Sequence, residues 1–133
     1  MVYPIARHTI IPLFLGYVKK IYGSENFPKD IGFIIAPNHE SYLDDLIIPS
    51  IVVTKLNKKL HFYVNNKYLR NFFLRTFLLW GGCIPVEVRA DSANSKERSA
   101  INEKAFKTAL ELLKQKEIIG IFPEGHRSQD GKL

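Results

Sequence analysis

The stretch that decides the fold is IGFIIAPNHE at residues 31–40. Its first six residues form a short apolar run, which Pro37 and Asn38 bring to an end. An apolar run closed by turn-forming residues is typical of a buried strand that leads into a tight turn. We therefore expect a strand over residues 31–36 and His39 just beyond its carboxyl end.

Three later apolar runs resemble the first. Residues 60–64, 83–88 and 118–122 are each predicted to form a strand. Pro85 cannot donate a backbone hydrogen bond, so it favours an edge position or a bulge for the middle run.

Helical segments are predicted between these strands. Ser41 and Asp44 resemble a capping box that opens a helix, which Pro49 is expected to kink or shorten. Residues 68–79 predict a second helix, and residues 96–116 predict an amphipathic one with its charges opposite an apolar stripe. The stripe consists of Ile101, Ala105, Phe106, Ala109, Leu110, Leu112 and Leu113.

Strands that alternate with helices predict an α/β fold with a largely parallel sheet covered by helices, after a helical segment over residues 1–25. Ligands of such sheets bind outside the carboxyl ends of the strands. A chain of 133 residues, 46% of them hydrophobic, suits one domain with a real core.

The amino-acid composition limits which ligands the surface can attract and which cysteine chemistry is possible. Lys and Arg number 19 against 13 Asp and Glu, a formal charge of +6. Phosphate groups, nucleic acid and acidic lipid are all compatible with such a surface. The one cysteine, Cys83, excludes an internal disulfide and a cysteine metal cluster. We interpret Cys83 as a small core residue, with a thiol nucleophile as the alternative.

Two apolar segments flanked by basic residues suggest contact with a membrane surface. Residues 10–18 are too short to span a bilayer, and no convincing signal-peptide cleavage site follows them. They form either an interfacial helix or a helix packed on the core. The interfacial alternative places Leu13, Phe14 and Tyr17 among acyl chains and Arg7, Lys19 and Lys20 at headgroups.

The second apolar segment covers residues 68–80 and carries two arginines. A buried core helix is the default interpretation. The alternative is that the arginines snorkel toward lipid phosphates.

The first chemical motif is NHESYLD at residues 38–44. A neutral histidine is suited to taking the proton of an attacking hydroxyl near pH 7. A carboxylate bonded to its other ring nitrogen fixes the tautomer and stabilises the imidazolium that develops. His39 and Asp44 are therefore a candidate catalytic pair. The alternative is that Asp44 merely caps the next helix, a role that Asp45 could also take.

The second motif is FPEGHRS at residues 122–128. Its glycine turn exposes backbone amides, and Arg127 offers a planar guanidinium that suits phosphate. The alternative is an ordinary turn with solvated charges. His126 is a weaker candidate base or metal ligand, since no ligating partners cluster around it in the sequence. Together the motifs suggest acyl transfer to a hydroxyl.

The order and separation of the two motifs resemble the glycerolipid acyltransferases, which include 1-acylglycerol-3-phosphate acyltransferase. Asn38, His39 and Asp44 match that family's Asn-His-aspartate hallmark, and residues 122–125 match its Phe-Pro-Glu-Gly block. An intermediate family block resembles residues 82–89, although one extra residue precedes Arg89. His126 stands where threonine is common. The resemblance predicts a single acyltransferase domain over residues 1–133 that is incomplete at its C-terminal end.

The resemblance also implies a reaction. A fatty acyl group would move from acyl-CoA or acyl-carrier protein to the free hydroxyl of a lysophosphatidic acid or related glycerol phosphate. His39 would be the base, Asp44 would orient it, and Arg89, Glu124, Gly125 and Arg127 would bind the acceptor. No metal, redox cofactor or nucleic acid is implied, and the expected place is the cytoplasmic face of a membrane, as a peripheral or monotopic protein.

Two other functions suit the same residues. One is a membrane-associated remnant of such a domain without turnover. The other is a hydrolase in which His39 and Asp44 activate water against a thioester.

Overall fold

The computed structural model describes residues 2–91, 94–125 and 127. Within these residues the chain forms five α-helices and four strands. The helices are α1 Pro4–His8, α2 Ile10–Leu15, α3 Asp44–Leu56, α4 Phe72–Gly81 and α5 Ser95–Lys114. The strands are β1 Phe33–Ile35, β2 Leu60–Asn65, β3 Ile84–Val86 and β4 Ile118–Gly120.

The four strands form one parallel sheet in the order β1-β4-β2-β3. Ile118 of β4 lies opposite Phe33 of β1 on one side and Leu60 of β2 on the other. The predicted α/β class with a parallel sheet is confirmed. Because all four strands run the same way, their carboxyl ends meet at one edge of the sheet.

The core lies on both faces of the sheet. Ile118 and Ile119 are both fully buried and, as neighbours in a strand, point to opposite faces. Ile118 packs with Val52 of α3, whereas Ile119 packs with Ala105 and Ala109 of α5. One helix therefore covers each side of β4.

Each predicted strand is found, with shifted ends. β1, β3 and β4 are shorter than their apolar runs, while β2 extends one residue further, to Asn65. Pro85 lies in β3, at the edge of the sheet, as its missing N–H predicts. Beyond the end of β4, Ile121 and Phe122 still pack against the core, so apolarity outlasts the ladder of hydrogen bonds there.

Three predictions about helices are wrong in part. α3 continues well past Pro49, because Val52 and Val53 beyond it are almost fully buried and hold the helix in place. α4 begins only at Phe72, since residues 66–70 form a 3₁₀ turn and the side chain of Asn71 caps α4 through the N–H of Leu74.

The third correction concerns the apolar stripe of α5. Phe106 and Leu110 are 60% and 41% exposed, whereas Ala105 and Ala109 are buried. Phe106 and Leu110 each follow a buried alanine by one position, which turns them about 100° away from the core. The small alanines let α5 approach the sheet closely.

The expectation of a buried core helix at residues 68–80 is wrong. No residue of α4 is buried in the structure. Phe72 and Phe73 are 74% and 82% exposed, and Trp80 is half-exposed. α4 thus presents an apolar surface rather than filling the core.

The predicted N-terminal helical segment is found as α1 and α2. Ala6 and Ile11 pack against Val53 of α3, while Leu13 and Tyr17 are exposed. The guanidinium of Arg7 donates to the carbonyl of Val53 and to Asn57 Oδ1, both at 2.9 Å, so it anchors α1 to α3 rather than pointing to headgroups. None of the described helices combines the length and apolarity needed to cross a bilayer.

Candidate active site

The loop after β1 places His39, and the first turn of α3 places Asp44. His39 Nδ1 lies 3.3 Å from Asp44 Oδ2, and the histidine is only 8% exposed. The other ring nitrogen, Nε2, has no hydrogen-bond partner among the described residues. Since His39 lines a large cavity, Nε2 is the nitrogen available to a substrate.

Asp44 also holds the loop in shape. Its Oδ2 accepts the backbone N–H groups of Glu40 at 2.8 Å and Ser41 at 2.7 Å. The Ser41 hydroxyl in turn accepts the N–H of Leu43 at 3.1 Å, one residue earlier than a regular capping box would use. α3 begins at Asp44 without a side-chain cap, so neither Asp44 nor Asp45 caps the helix. The carboxylate of Asp44 instead holds the loop that carries His39.

Asp45 lies beside the dyad and lines the same cavity. Desolvation raises the pKa of its carboxyl, which the neighbouring His39 and Arg127 oppose and the charge of Asp44 reinforces. Asp44 and Asp45 are thus consecutive carboxylates with different surroundings.

The imidazole of His39 packs on an aromatic stack. Its ring centroid lies 3.9 Å from that of Phe122, with 17° between the planes. Phe122 in turn stacks on Phe62 at 4.8 Å and 5°. The first residue of the second motif therefore fixes the plane of the histidine in the first motif.

A second contact joins the two motifs. The guanidinium carbon of Arg127 lies 3.6 Å from the ring centroid of Tyr42, within the first motif. This is a cation–π geometry, which is favourable over a tyrosine face. His39 with Phe122 and Arg127 with Tyr42 are two separate bridges between segments far apart in the sequence.

The turn between these contacts requires a glycine. Gly125 has a φ of 69° and donates its N–H to the carbonyl of Phe122 at 3.1 Å. Side chains with a Cβ rarely adopt this conformation. Glu124 precedes it and is exposed, while Gly125 and the half-buried Arg127 line the cavity.

The structure does not bring Arg89 to the dyad directly. Arg89 is exposed in the 3₁₀ turn Arg89–Asp91 that follows β3, whereas Val88 and Asp91 on either side of it line the cavity. Asp91 is engaged by Asn65 at 2.6 Å and Lys67 at 3.7 Å. His126 and Ser128, also singled out from the sequence, lie outside the described residues.

The cavity has a volume of about 830 Å³, within the usual range for ligand sites. Its polar lining includes His39, Asp45 and Arg127. The apolar lining comes from the sheet and from the helices α1 to α4, and it includes Ile11, Phe14, Phe77 and Leu78. Such a lining suits a ligand with one polar end and a long apolar part.

Cys83 also lines this cavity and is half-buried. Burial, reinforced by the charge of Asp45, raises the pKa of its thiol to about 11. The thiolate is the reactive form, so Cys83 is a poor nucleophile at neutral pH. The nucleophile interpretation is thus disfavoured, while Cys83 lies half-buried in the cavity wall rather than in the core as expected.

Sequence reasoning missed Phe62 and Tyr42 as supports of the site. Tyr42 could have been noticed because it lies inside the first motif. Phe62 carried no such signal, because its place beside Phe122 depends on β2 lying next to β4.

The fold and site define an α/β domain with a histidine–aspartate pair and a basic glycine turn at the carboxyl edge of a parallel sheet. Residues 19–133 match the protein-family model described as Acyltransferase. The chain therefore belongs to the Acyltransferase family.

Two curated relatives agree with this assignment. The chain is 31% identical to a 1-acyl-sn-glycerol-3-phosphate acyltransferase of Bacillus subtilis, over 84% of this chain and 49% of that protein. It is 32% identical to a 1-acyl-sn-glycerol-3-phosphate acyltransferase of Borreliella burgdorferi, over 91% of this chain and 44% of that protein. The chain thus spans about half the length of the curated relatives it matches.

Proposed function

We propose that the protein transfers a fatty acyl group from an acyl thioester, acyl-CoA or acyl-carrier protein, to the free hydroxyl of a lysophosphatidic acid or related glycerol phosphate. The observation that carries the proposal is the double bridge between the motifs. It holds a base and a phosphate-binding cation against one partly apolar cavity. The names of the two relatives support the same reaction.

His39 acts as the general base. Nε2 takes the proton of the acceptor hydroxyl while its oxygen attacks the thioester carbonyl. Asp44 keeps the other proton on Nδ1 and stabilises the imidazolium. As the C–S bond breaks, the imidazolium returns the proton to the leaving thiolate, so an ester and a free thiol are formed.

Arg127 binds the phosphate of the acceptor in this scheme, with Glu124, Gly125 and Arg89 as further acceptor contacts. A guanidinium suits phosphate because its N–H groups form a planar fork. The ring of Tyr42 beneath Arg127 reduces the freedom of its side chain, which lowers the entropy lost on binding.

We place the protein on the cytoplasmic face of a membrane as a peripheral or monotopic protein. Its proposed acceptor and product both partition into lipid. Exposed apolar residues of α2 and α4, together with the net charge of +6, support attachment to an anionic surface.

The test is an assay of acyl-CoA consumption by the purified chain with and without lysophosphatidic acid. Acyl transfer predicts ester and free thiol in equal amounts, only with the acceptor. His39→Ala should lower the rate about a hundredfold or more, the usual contribution of a general base. Free fatty acid without acceptor would indicate the hydrolase, and neither product would indicate the remnant without turnover. Near-normal turnover in a folded His39→Ala protein would remove His39 from the mechanism.

A further inference from the structure

A second, smaller cavity lies apart from the dyad, between the 3₁₀ turn Asn66–Arg70, α4 and β3. Its volume is about 330 Å³. Its lining consists of Asn66, Leu69, Arg70, Arg75, Leu79 and Pro85. Two of these six residues are arginines and none is acidic, so the lining favours an anion.

The two arginines differ in their contacts from other cationic side chains of the protein. Arg70 and Arg75 are exposed, and their side chains form no hydrogen bond or ion pair within the part of the chain that the structure describes. Arg7 and Lys67, by contrast, are engaged by neighbouring groups. The guanidinium groups of Arg70 and Arg75 are therefore both available to an anion.

The surroundings indicate where that anion comes from. Phe72 and Phe73 lie between the two arginines in the sequence and are the most exposed phenylalanines of α4. Phe72 and Arg75 are three residues apart on the helix, so their side chains share one face. Aromatic rings beside cations are the usual pattern at a lipid interface, where rings enter the acyl boundary and cations remain at the phosphates.

We propose that this cavity binds the phosphate of an anionic phospholipid headgroup. Arg70 and Arg75 hold the phosphate oxygens while Phe72 and Phe73 enter the acyl boundary beside it. Leu69 and Leu79 contact the apolar part of the same lipid. The site rests on the proposed membrane attachment and adds to it a lipid class and an orientation, with α4 against the bilayer.

The test is sedimentation with vesicles of phosphatidylcholine alone and with added phosphatidylglycerol. The Arg70→Gln/Arg75→Gln double variant should lose about thirtyfold in its partition onto the anionic vesicles, since each basic residue near such a surface contributes roughly fivefold. The control is the double variant Lys104→Gln/Lys107→Gln on the exposed side of α5, which removes the same charge. It should bind the anionic vesicles nearly as well as the unmodified protein. Circular dichroism of all variants checks that the fold is kept.

The outcomes separate this site from the attachment itself. If the unmodified protein binds anionic vesicles and both double variants bind equally well, the cavity is not the headgroup site, although attachment stands. If the two double variants lose binding equally, only net charge matters and the site is again overturned. If the unmodified protein binds no vesicles, attachment and site both fail. If inorganic phosphate binds the unmodified protein but not the Arg70→Gln/Arg75→Gln variant, and leaves vesicle binding unchanged at matched ionic strength, the cavity is a soluble-phosphate site instead.

Discussion

At the scale of single residues, the most consequential atom is Asp44 Oδ2. It contacts His39 Nδ1 and also accepts two backbone N–H groups of the loop that carries the histidine. One oxygen therefore sets both the charge beside the imidazole and the path of the chain around it.

Asp44→Asn separates these two roles. An asparagine oxygen can still accept the backbone N–H groups, but it carries no charge to stabilise an imidazolium. We expect the rate of acyl transfer to fall by about a hundredfold or more while the melting temperature changes little. Steady-state kinetics and thermal unfolding measure the two effects.

Asp45→Asn is the matched control. The pKa of the Asp45 carboxyl is raised in the folded state, so between its unfolded and folded pKa the folded state binds more protons than the unfolded state. The free energy of unfolding therefore falls as the pH rises through this interval. Removing the charge should therefore keep or raise stability at neutral pH, with a smaller loss of rate. An equal loss of rate in both variants would argue against a special role for Asp44.

Arg127→Lys tests the assignment of the acceptor phosphate. Lysine keeps the charge but cannot reproduce a planar fork, and it stacks less well over Tyr42. We expect KM for the lysophosphatidic acid to rise about tenfold, the scale of one lost charged hydrogen bond, while KM for the donor stays similar. A change in the donor KM alone would mean that the two substrates are assigned to the wrong groups.

At the scale of elements, β4 is tied to the dyad through aromatic packing. A Cβ on Gly120 would lie 2.5 Å from an edge atom of the Phe62 ring. Phe62 stacks on Phe122, and Phe122 stacks on His39. A methyl group at Gly120 would therefore displace a series of rings that ends at the base.

We expect Gly120→Ala to cost about 1–3 kcal/mol of unfolding free energy, the usual cost of overpacking a core, and to lower the rate as well. Gly81→Ala is the control, because a Cβ there meets nothing within 4 Å. Urea unfolding and kinetics compare the two variants. An unaffected rate in a destabilised Gly120→Ala protein would show that the stack does not position His39.

The exposed face of α4 provides the other prediction at this scale. Phe72→Ser/Phe73→Ser should release the protein from anionic vesicles without unfolding it, since both side chains are mostly exposed. In the unmodified protein, added salt should weaken the electrostatic attraction to the vesicles, because exposed charges are screened over about 8 Å at physiological ionic strength. Salt should not release the protein fully, since the aromatic side chains stay inserted.

Phe106→Ser on α5 is the matched control, since Phe106 is also exposed. It should leave vesicle binding intact. If the Phe72 and Phe73 substitutions unfolded the protein, or if they left vesicle binding unchanged, α4 would not be the inserted element.

At the scale of the whole molecule, local patterns in the sequence predicted the class of fold but not the arrangement of its parts. Alternating strands and helices gave the parallel sheet, and the spacing of His39 and Asp44 gave their contact, because both depend on neighbouring residues. The stack of His39 on Phe122 could not be predicted in this way, since it requires β1 to lie beside β4.

Burial was also hard to predict from apolarity alone. The segment at residues 68–80 is as apolar as a core helix, yet α4 is exposed. The apolar character of a side chain does not specify whether protein or another apolar surface covers it. Pro49 likewise disfavours a helix locally, but the burial of Val52 and Val53 outweighs that preference.

The strand order also determines when the site can form during synthesis. β2 and β3 are consecutive in the chain and can pair as soon as both have emerged from the ribosome. β1 pairs with β4, so the strand that leads to His39 is made early but finds its neighbour only after β4 has been synthesised. Such long-range pairing slows folding and leaves an unpaired strand edge in the meantime. Nascent chains that end before Ile118 should therefore depend on chaperones, and the base should reach its working position among the last events of folding.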